Sequence, residues 1–437
     1  MTTTWRTLVS AAALCPALAA ADNGYFQIGY GAEARGLAGA AAASTRDAFG
    51  GASNPATTVW VGDRMEGNFI ATRGDTQMVR MANMPPPAAG LLDTRTDSIG
   101  RWEPLAELAI SRVIAPGLSA GLVAYSNGAG TYFPADSTPC SSPAGAVQRA
   151  NAACGTGRSI TTIKQLTVAP TVSRQLGERW SVGASLLLTA QQFKAEGVQP
   201  LAPQSAAPLH LSNQGVASSF GVGFRIGAYW RASDTLSLGA AWSPRTRMGR
   251  IKAYEGLLAD HGRLDVPMNL LVGLQWSPTE ALSVLLDYQR IGYAGVAGLG
   301  NRPFDGSVLR GAAGGPGNGW KDMNVVKLGV RYQATPALRL SAGVSANSAA
   351  YADAATSDNL NSPSTFRRHF TLGLGYASSA RTEWSVFYSL APVHRTSGPS
   401  ALAAAVGAQL NGVSNPWGRE SLATRQQSLG VQYAVRF

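Results

Sequence analysis

Beyond residue 21 no stretch reaches about 18 uninterrupted apolar residues, which excludes helical membrane spans. Charge is scarce: Asp, Glu, Lys and Arg make up 14% of the chain against 45% hydrophobic residues, a mix that suits a barrel better than a helical enzyme. The four histidines, His210, His261, His369 and His394, lack metal-ligand spacing, so no metal centre is expected. GxSxG elbows, phosphate-binding loops and zinc-protease motifs are missing, so the chain reads as a non-enzyme without a cofactor. No composition break, charge block or long Ser/Pro linker divides the 437 residues, which points to one large domain.

What is present begins with an export address. Residues 1–21 carry Arg6, an apolar run from Leu8 to Leu18 and small residues at Ala17, Ala19 and Ala21, the pattern of a cleaved signal peptide. Of three cysteines, Cys140 and Cys154 remain after cleavage, in a Pro/Ser/Ala-rich loop where an exported protein is expected to form a disulfide. The net charge of +11 could signal nucleic acid, but export and the scatter of Arg over strands and loops argue for lumen lining and an anionic membrane surface.

Residues 22–60 read as a plug. The stretch from Gly24 to Ala56 is mostly Gly, Ala and Ser and cannot bury enough apolar surface to offset its own ordering entropy, so something must enclose it. From residue 61 the chain supplies the enclosure. Fourteen segments alternate apolar with small or polar residues at period two, including 63–73, 117–127, 235–253, 382–394 and 425–437. Trp180, Val182, Leu186 and Leu188 share one face, opposed by Ser181, Gly183, Ser185 and Thr189. A soluble sandwich would place Lys, Glu and Thr on its outer face; here the second face is rich in Gly, Ala and Ser. Strand-end aromatics, among them Trp180, Tyr229, Trp230, Trp276, Tyr293, Tyr376 and Trp384, fit interfacial girdles. Short turns alternate with long loops, as in an outer-membrane barrel whose two wall ends lie in the periplasm. Pro170 and Pro244 fall inside segments read as strands and predict a bulge or a boundary there. The fold class is therefore an all-β transmembrane antiparallel barrel of about fourteen strands with an N-terminal hatch in its lumen.

Phe26-Gln27-Ile28, then Arg35-Gly36-Leu37-Ala38-Gly39-Ala40-Ala41, Asp47-Ala48 and Asn54-Pro55-Ala56, set before this wall, resemble the FadL family of outer-membrane hydrophobic-compound transporters, TodX-like channels included. The resemblance implies location in a Gram-negative outer membrane and passive transport of long-chain fatty acids or aromatic and aliphatic hydrocarbons. It implies a hatch carried by Phe26, Arg35, Asp47, Asn54, Pro55 and Ala56, and a lateral route at a third-strand kink near Ser126, Asn127, Gly128 and Gly130. Glycine suits such a distortion because it tolerates unusual dihedrals and leaves a gap unblocked. Lys321 beside Trp320 matches the position of a basic residue near the ligand head group, with Lys194 a second candidate. The loop 194–214 is short and Pro/Ala-rich where fatty-acid carriers of the family have an extended helical loop, which favours smaller compounds. Inward-register charges, including Glu107, Arg225, Asp287, Lys327, Arg331, Arg339 and Arg436, are expected to pair with one another or with Arg35, Arg46 and Asp47.

The final segment places Leu429, Val431, Tyr433, Val435 and Phe437 on one face. Resemblance to bacterial outer-membrane barrels implies that Phe437 is read by the barrel-insertion machinery. The other expected partners are a hydrophobic ligand and outer-membrane lipid, lipopolysaccharide included, with no nucleic acid. A structural barrel, or a surface-receptor or adhesin barrel whose plug never opens, is the alternative, since barrel architecture alone does not fix function.

Overall fold

The computed structural model describes residues 23–84, 89–141, 146–411 and 417–437. The signal-peptide reading of residues 1–21 lies outside them. Fourteen strands form the wall: β1 Arg64–Met81, β2 Arg101–Ala115, β3 Leu118–Phe133, β4 Ser159–Leu176, β5 Trp180–Glu196, β6 Ala217–Arg231, β7 Leu236–Ser243, β8 Met268–Trp276, β9 Leu282–Gly292, β10 Met323–Gln333, β11 Leu338–Asn347, β12 Arg368–Ala377, β13 Thr382–Pro399 and β14 Arg419–Arg436. All neighbours are antiparallel, and β14 pairs with β1 from Arg64↔Arg436 to Met81↔Arg419, which closes the barrel.

Period-two alternation turns one face of each strand to lipid and the other to the lumen. In β5 Trp180, Val182, Leu186 and Leu188 are exposed while Ser181, Ser185 and Thr189 are buried. Because two strands cross the ladder in register, Trp180 stacks on Trp230 with ring centroids 4.8 Å apart, and Trp384 lies 4.6 Å from Tyr433. The girdle reading is corrected at two residues: Tyr229 and Tyr293 are buried, since the alternation that sends Trp230 outward sends Tyr229 inward against Trp60.

The wall is uneven. β13, β14 and β1 each run 18 residues, whereas β7 runs eight and β8 nine. The segment read as a strand over 235–253 ends at Ser243, because Pro244 cannot donate to the ladder. Pro170 stays inside β4, and there the pairing to β5 is interrupted between Val168↔Leu188 and Thr171↔Ser185 with the register unchanged, so the expected bulge is a gap in the ladder. On the low side the connections fold inward; the one after β7 does so only past Gly249, which still bonds to Phe220 of β6. Ile251, Tyr254, Leu258, Leu264, Tyr293, Leu299 and Trp320 from these connections make the largest apolar cluster together with Tyr25 and Phe26 of the hatch.

Hatch residues thread the lumen as short pieces: a helix α1 over Gly31–Gly36, one turn over Gly50–Ser53 and a 3₁₀ turn over Pro55–Trp60. Wall glycines make this possible. A Cβ on Gly227 would stand 2.0 Å from the Asn54 side-chain oxygen, and one on Gly239 would stand 1.9 Å from the Ala42 carbonyl. The small-residue lumen face is thus the surface on which the hatch backbone rests.

Candidate functional site

Hatch anchoring starts from charges that the alternation points inward. Arg35 on α1 is fully buried and meets Glu107 of β2 at 2.9 Å, while Glu107 also accepts from the Gly31 N–H (3.0 Å) and Asn68 Nδ2 (2.8 Å). Glu33, two residues earlier, meets Arg331 at 3.1 Å and Arg339 at 2.8 Å; Arg339 also pairs with Glu383. Burial opposes ionisation of Glu33, but the guanidinium groups of Arg339 and Arg331 override it and hold the carboxyl at about 2. Asp47 goes the other way: burial and the Glu33 charge push it up, although Gly50 N–H donates to it at 2.9 Å.

Where the hatch lacks charge, wall side chains reach its backbone. Asp287 of β9 accepts from Ala41 N–H (2.7 Å) and Ala42 N–H (2.8 Å), and Lys327 Nζ of β10 donates to the carbonyls of Ile28 (3.0 Å) and Gly39 (3.3 Å). Asn54 Nδ2 donates to Ala42 O (2.8 Å) and Ala228 O (3.0 Å), and its Oδ1 accepts from Ala56 N–H (3.1 Å), capping the 3₁₀ turn that Pro55 opens. The Ala56 carbonyl accepts from Ser181 Oγ (2.7 Å) and Ser173 Oγ (3.0 Å). Arg225 donates to Ala52 O and Tyr125 OH. The inward wall charges thus divide evenly, Glu107, Arg331 and Arg339 pairing with hatch charges and Asp287, Lys327 and Arg225 bonding to hatch backbone; Arg436, at the strand end, is exposed and takes no part.

Above the N-terminal end of the hatch lies a cavity of about 490 Å³, within the size range of small-molecule sites. Tyr25, Phe193, Leu258, Leu264, Leu299 and Trp320 give it an apolar lining, and Arg80, Arg101, Glu103 and Arg310 a polar margin. Arg80 is already paired with Glu420 at 2.6 Å. Tyr293 sits beneath, 5.0 Å from the Trp320 ring and 5.6 Å from Tyr25, and its hydroxyl donates to Asn23 O (2.5 Å) and accepts from Tyr25 N–H (3.1 Å). The Tyr25 carbonyl in turn accepts from Gly128 N–H at 2.8 Å. One hatch residue is thereby tied through its N–H to Tyr293 and through its carbonyl to β3.

At that contact the wall changes. β3 is in register with β4 along its whole length, from Leu118↔Arg174 to Phe133↔Ser159, but its ladder with β2 ends at Leu108↔Ala124. Tyr125 to Thr131 consequently have no β2 partner, and the strands meet again only where Ile99 N–H donates to Tyr132 O at 2.7 Å. Glu103, Ala129, Gly130 and Thr131, at the edges of this gap, also line the cavity. Ser126, Asn127, Gly128 and Gly130 all lie in the unpaired stretch, and Asn127 Oδ1 accepts from Gln27 N–H (3.2 Å) and Tyr30 OH (2.9 Å).

Two ligand-site expectations are corrected. Trp320 is buried on the cavity, its indole N–H donating to Asn359 at 2.7 Å, but Lys321 turns away, is exposed and lines no part of it. Lys194 follows Phe193, so alternation puts it on the opposite face, where it pairs with Glu196 at 2.7 Å. The cavity cations are instead Arg80, Arg101 and Arg310, which belong to strand ends and a loop and carry no sequence mark. Phe26 packs in the aromatic cluster beside Tyr25. A disulfide joins Cys140 to Cys154, and Cys154 contributes to the cavity wall. Tyr293 was legible only as a strand-end aromatic and Glu33 was missed; their roles depend on partners about 270 and 300 residues away.

The model for outer membrane protein transport proteins (OMPP1/FadL/TodX) matches residues 144–396. Among solved structures, that of the P. putida toluene transporter TodX is similar with a TM-score of 0.67 at 16% identity, over 94% of this chain and 99% of that one. A Pseudomonas aeruginosa FadL homologue gives 0.65 at 15% identity, over 95% and 100%. The Ralstonia pickettii toluene transporter TbuX gives 0.59 at 16%, over 94% and 98%. At these identities the likeness is one of fold. No curated protein matches the sequence.

Proposed function

Because the chain belongs to the outer membrane transport protein family OMPP1/FadL/TodX, we propose that it passes hydrophobic small molecules across the Gram-negative outer membrane by diffusion, through a barrel gated by its hatch. The observation that carries this reading is the apolar cavity whose floor is hatch residue Tyr25 and whose side reaches the unpaired stretch of β3. A ligand entering from the loops contacts Tyr25 and Trp320 directly. Movement of Tyr25 breaks its bonds to Tyr293 and Gly128, which couples occupancy to the hatch and to the gap. The gap between β2 and β3 is the lateral exit, through which an apolar molecule reaches the membrane interior without crossing water. The cavity volume and the two short 3₁₀ turns in loop 197–216, over Gln199–Gln204 and Pro208–His210, favour monoaromatic or short aliphatic compounds over long-chain fatty acids. Phe437, exposed on the lipid face with Leu429, Val431 and Tyr433, serves as the signal for the insertion machinery.

The test is uptake of labelled toluene and a labelled long-chain fatty acid by cells with and without the protein. A parallel variant carries Ala106→Cys with Ser126→Cys, which would face one another if the β2–β3 ladder continued past Leu108↔Ala124. Protein-dependent toluene uptake, abolished by the cross-link but retained by each single-cysteine variant, supports both transport and lateral exit. Uptake indifferent to the cross-link removes the lateral route. No uptake of any compound by an inserted barrel overturns transport and leaves the surface-receptor reading.

A further inference from the structure

On the low side of the wall, the chain after β7 continues upward past Pro244 and bonds to β6 through Gly249 N–H and Phe220 O at 2.9 Å. Thr246 and Met248 turn inward and are buried, so Arg245 and Arg247 turn outward and are exposed. Beside and below them the outward face is apolar: Phe220, level with Gly249, and Val222, Phe224 and Trp242 beneath it are exposed. The two arginines therefore stand in the uppermost part of the apolar band, from which their long side chains reach the outer-leaflet headgroups.

Arg245, Arg247 and Arg263 surround a recess of about 150 Å³, closed by Asp260, Asp265, Val296 and Ala297. Its charges are unequal in availability. Asp265 faces Arg245 at 3.7 Å and accepts from Met248 N–H at 2.8 Å, while Arg245 also donates to Gly295 O; this pair holds the loop. Asp260 accepts from Gly314 N–H at 2.8 Å. Arg247 and Arg263 have no carboxylate within ion-pair distance among the described residues, and Arg250 and Lys252 add exposed positive charge just beyond. The far side of the recess is fixed in an unfavourable shape: Asp260 and His261 adopt consecutive left-handed conformations (φ 54° and 60°), held by bonds from their N–H groups to Ala312 and Gly311 carbonyls. An outward recess bordered by two unpaired guanidiniums suits a phosphate ester, which guanidinium recognises through paired N–H donors.

We propose that Arg247 and Arg263 bind a phosphate of the lipid A headgroup of lipopolysaccharide, seating the low side of the barrel in the outer leaflet. The apolar band below would pack against the acyl chains of the same lipid molecule. The inference rests on the barrel standing in the outer membrane and not on any transported substrate.

The full-length protein is purified in mild detergent and titrated with bisphosphorylated lipid A, dephosphorylated lipid A and inorganic phosphate, with bound lipid read by native mass spectrometry. Variants are Arg247→Gln with Arg263→Gln, and as a control Arg290→Gln, an outward arginine of β9 already paired with Asp322. Retention of the folded barrel is checked by its mobility on unheated gels. Loss of two surface-directed charges predicts a roughly ten- to thirtyfold fall in affinity for bisphosphorylated lipid A, weakening with salt, with the control unchanged. Equal binding by wild type and the double variant overturns the site. Equal binding of dephosphorylated lipid A overturns the phosphate, and protection by inorganic phosphate at the same concentration overturns the lipid in favour of a free anion.

Discussion

Glu107→Ala is the sharpest probe of how the hatch is held. The substitution removes the counter-ion of Arg35 and the acceptor of two further donors, Gly31 N–H and Asn68 Nδ2, all in a setting from which water is excluded. Breaking a buried pair by deleting one partner costs about 3–5 kcal/mol, because a guanidinium is left uncompensated. The wall's own ladder between β1 and β2 is made by backbone groups and is untouched, from Gly74↔Arg101 to Arg64↔Ser111. The cost therefore falls on seating of α1 and not on the barrel. At about 1.4 kcal/mol per tenfold, the population of hatch-released molecules rises by roughly a hundred- to several-thousandfold. Hydrogen exchange of the amides over 28–40 should accelerate by that factor, while those of β5 and β6 stay protected. Replacing both partners, Glu107→Leu with Arg35→Leu, removes the stranded charge and should recover most of the protection. Unchanged exchange in the single variant, or a double variant as labile as the single, would refute the argument that this pair positions the hatch.

Three further outcomes follow from the same geometry. Asn54→Ala loses the 3₁₀ cap and the bonds to Ala42 and Ala228, and should loosen residues 42–60 by about 1–2 kcal/mol, read as faster limited proteolysis of the hatch at constant surface abundance. The Glu33 carboxyl, held at about 2 by Arg339 and Arg331, contributes hatch stability that is fully present above its ordinary value near 4.5 and is lost as pH falls toward 2; a hatch protease-protection profile flat between pH 3 and pH 2 would contradict this. Reduction of Cys140–Cys154, which closes a loop with a sequence separation of 14, should release about 3 kcal/mol of constraint on the cavity wall at Cys154 and lower toluene uptake, with barrel heat-stability on gels little changed.

Much of this protein is written locally. Period-two alternation determines a lipid face and a lumen face residue by residue, since successive side chains in a strand point to opposite sides, so fourteen strands, their girdle tryptophans and the closing role of residues 425–437 are readable without a structure. The Gly/Ala/Ser stretch from Gly24 to Ala56 likewise announces that it needs an enclosure. Partners across the lumen are another matter. Alternation puts Glu107, Asp287 and Lys327 inside but gives no hint that the first meets Arg35 while the others bond to backbone, because those pairings span 72, 246 and 299 residues and depend on barrel closure. Lys321 and Lys194, placed near the ligand by the resemblance, line no part of the cavity for a different, local reason: each follows a cavity aromatic, and neighbours in an extended chain face opposite ways. The cavity exists because β7 and β8 stop short and their connections fold inward, and the β2–β3 gap exists because a ladder ends while both strands go on. Those are decisions about where backbone hydrogen bonds cease across distant strands, and only the tertiary structure makes them.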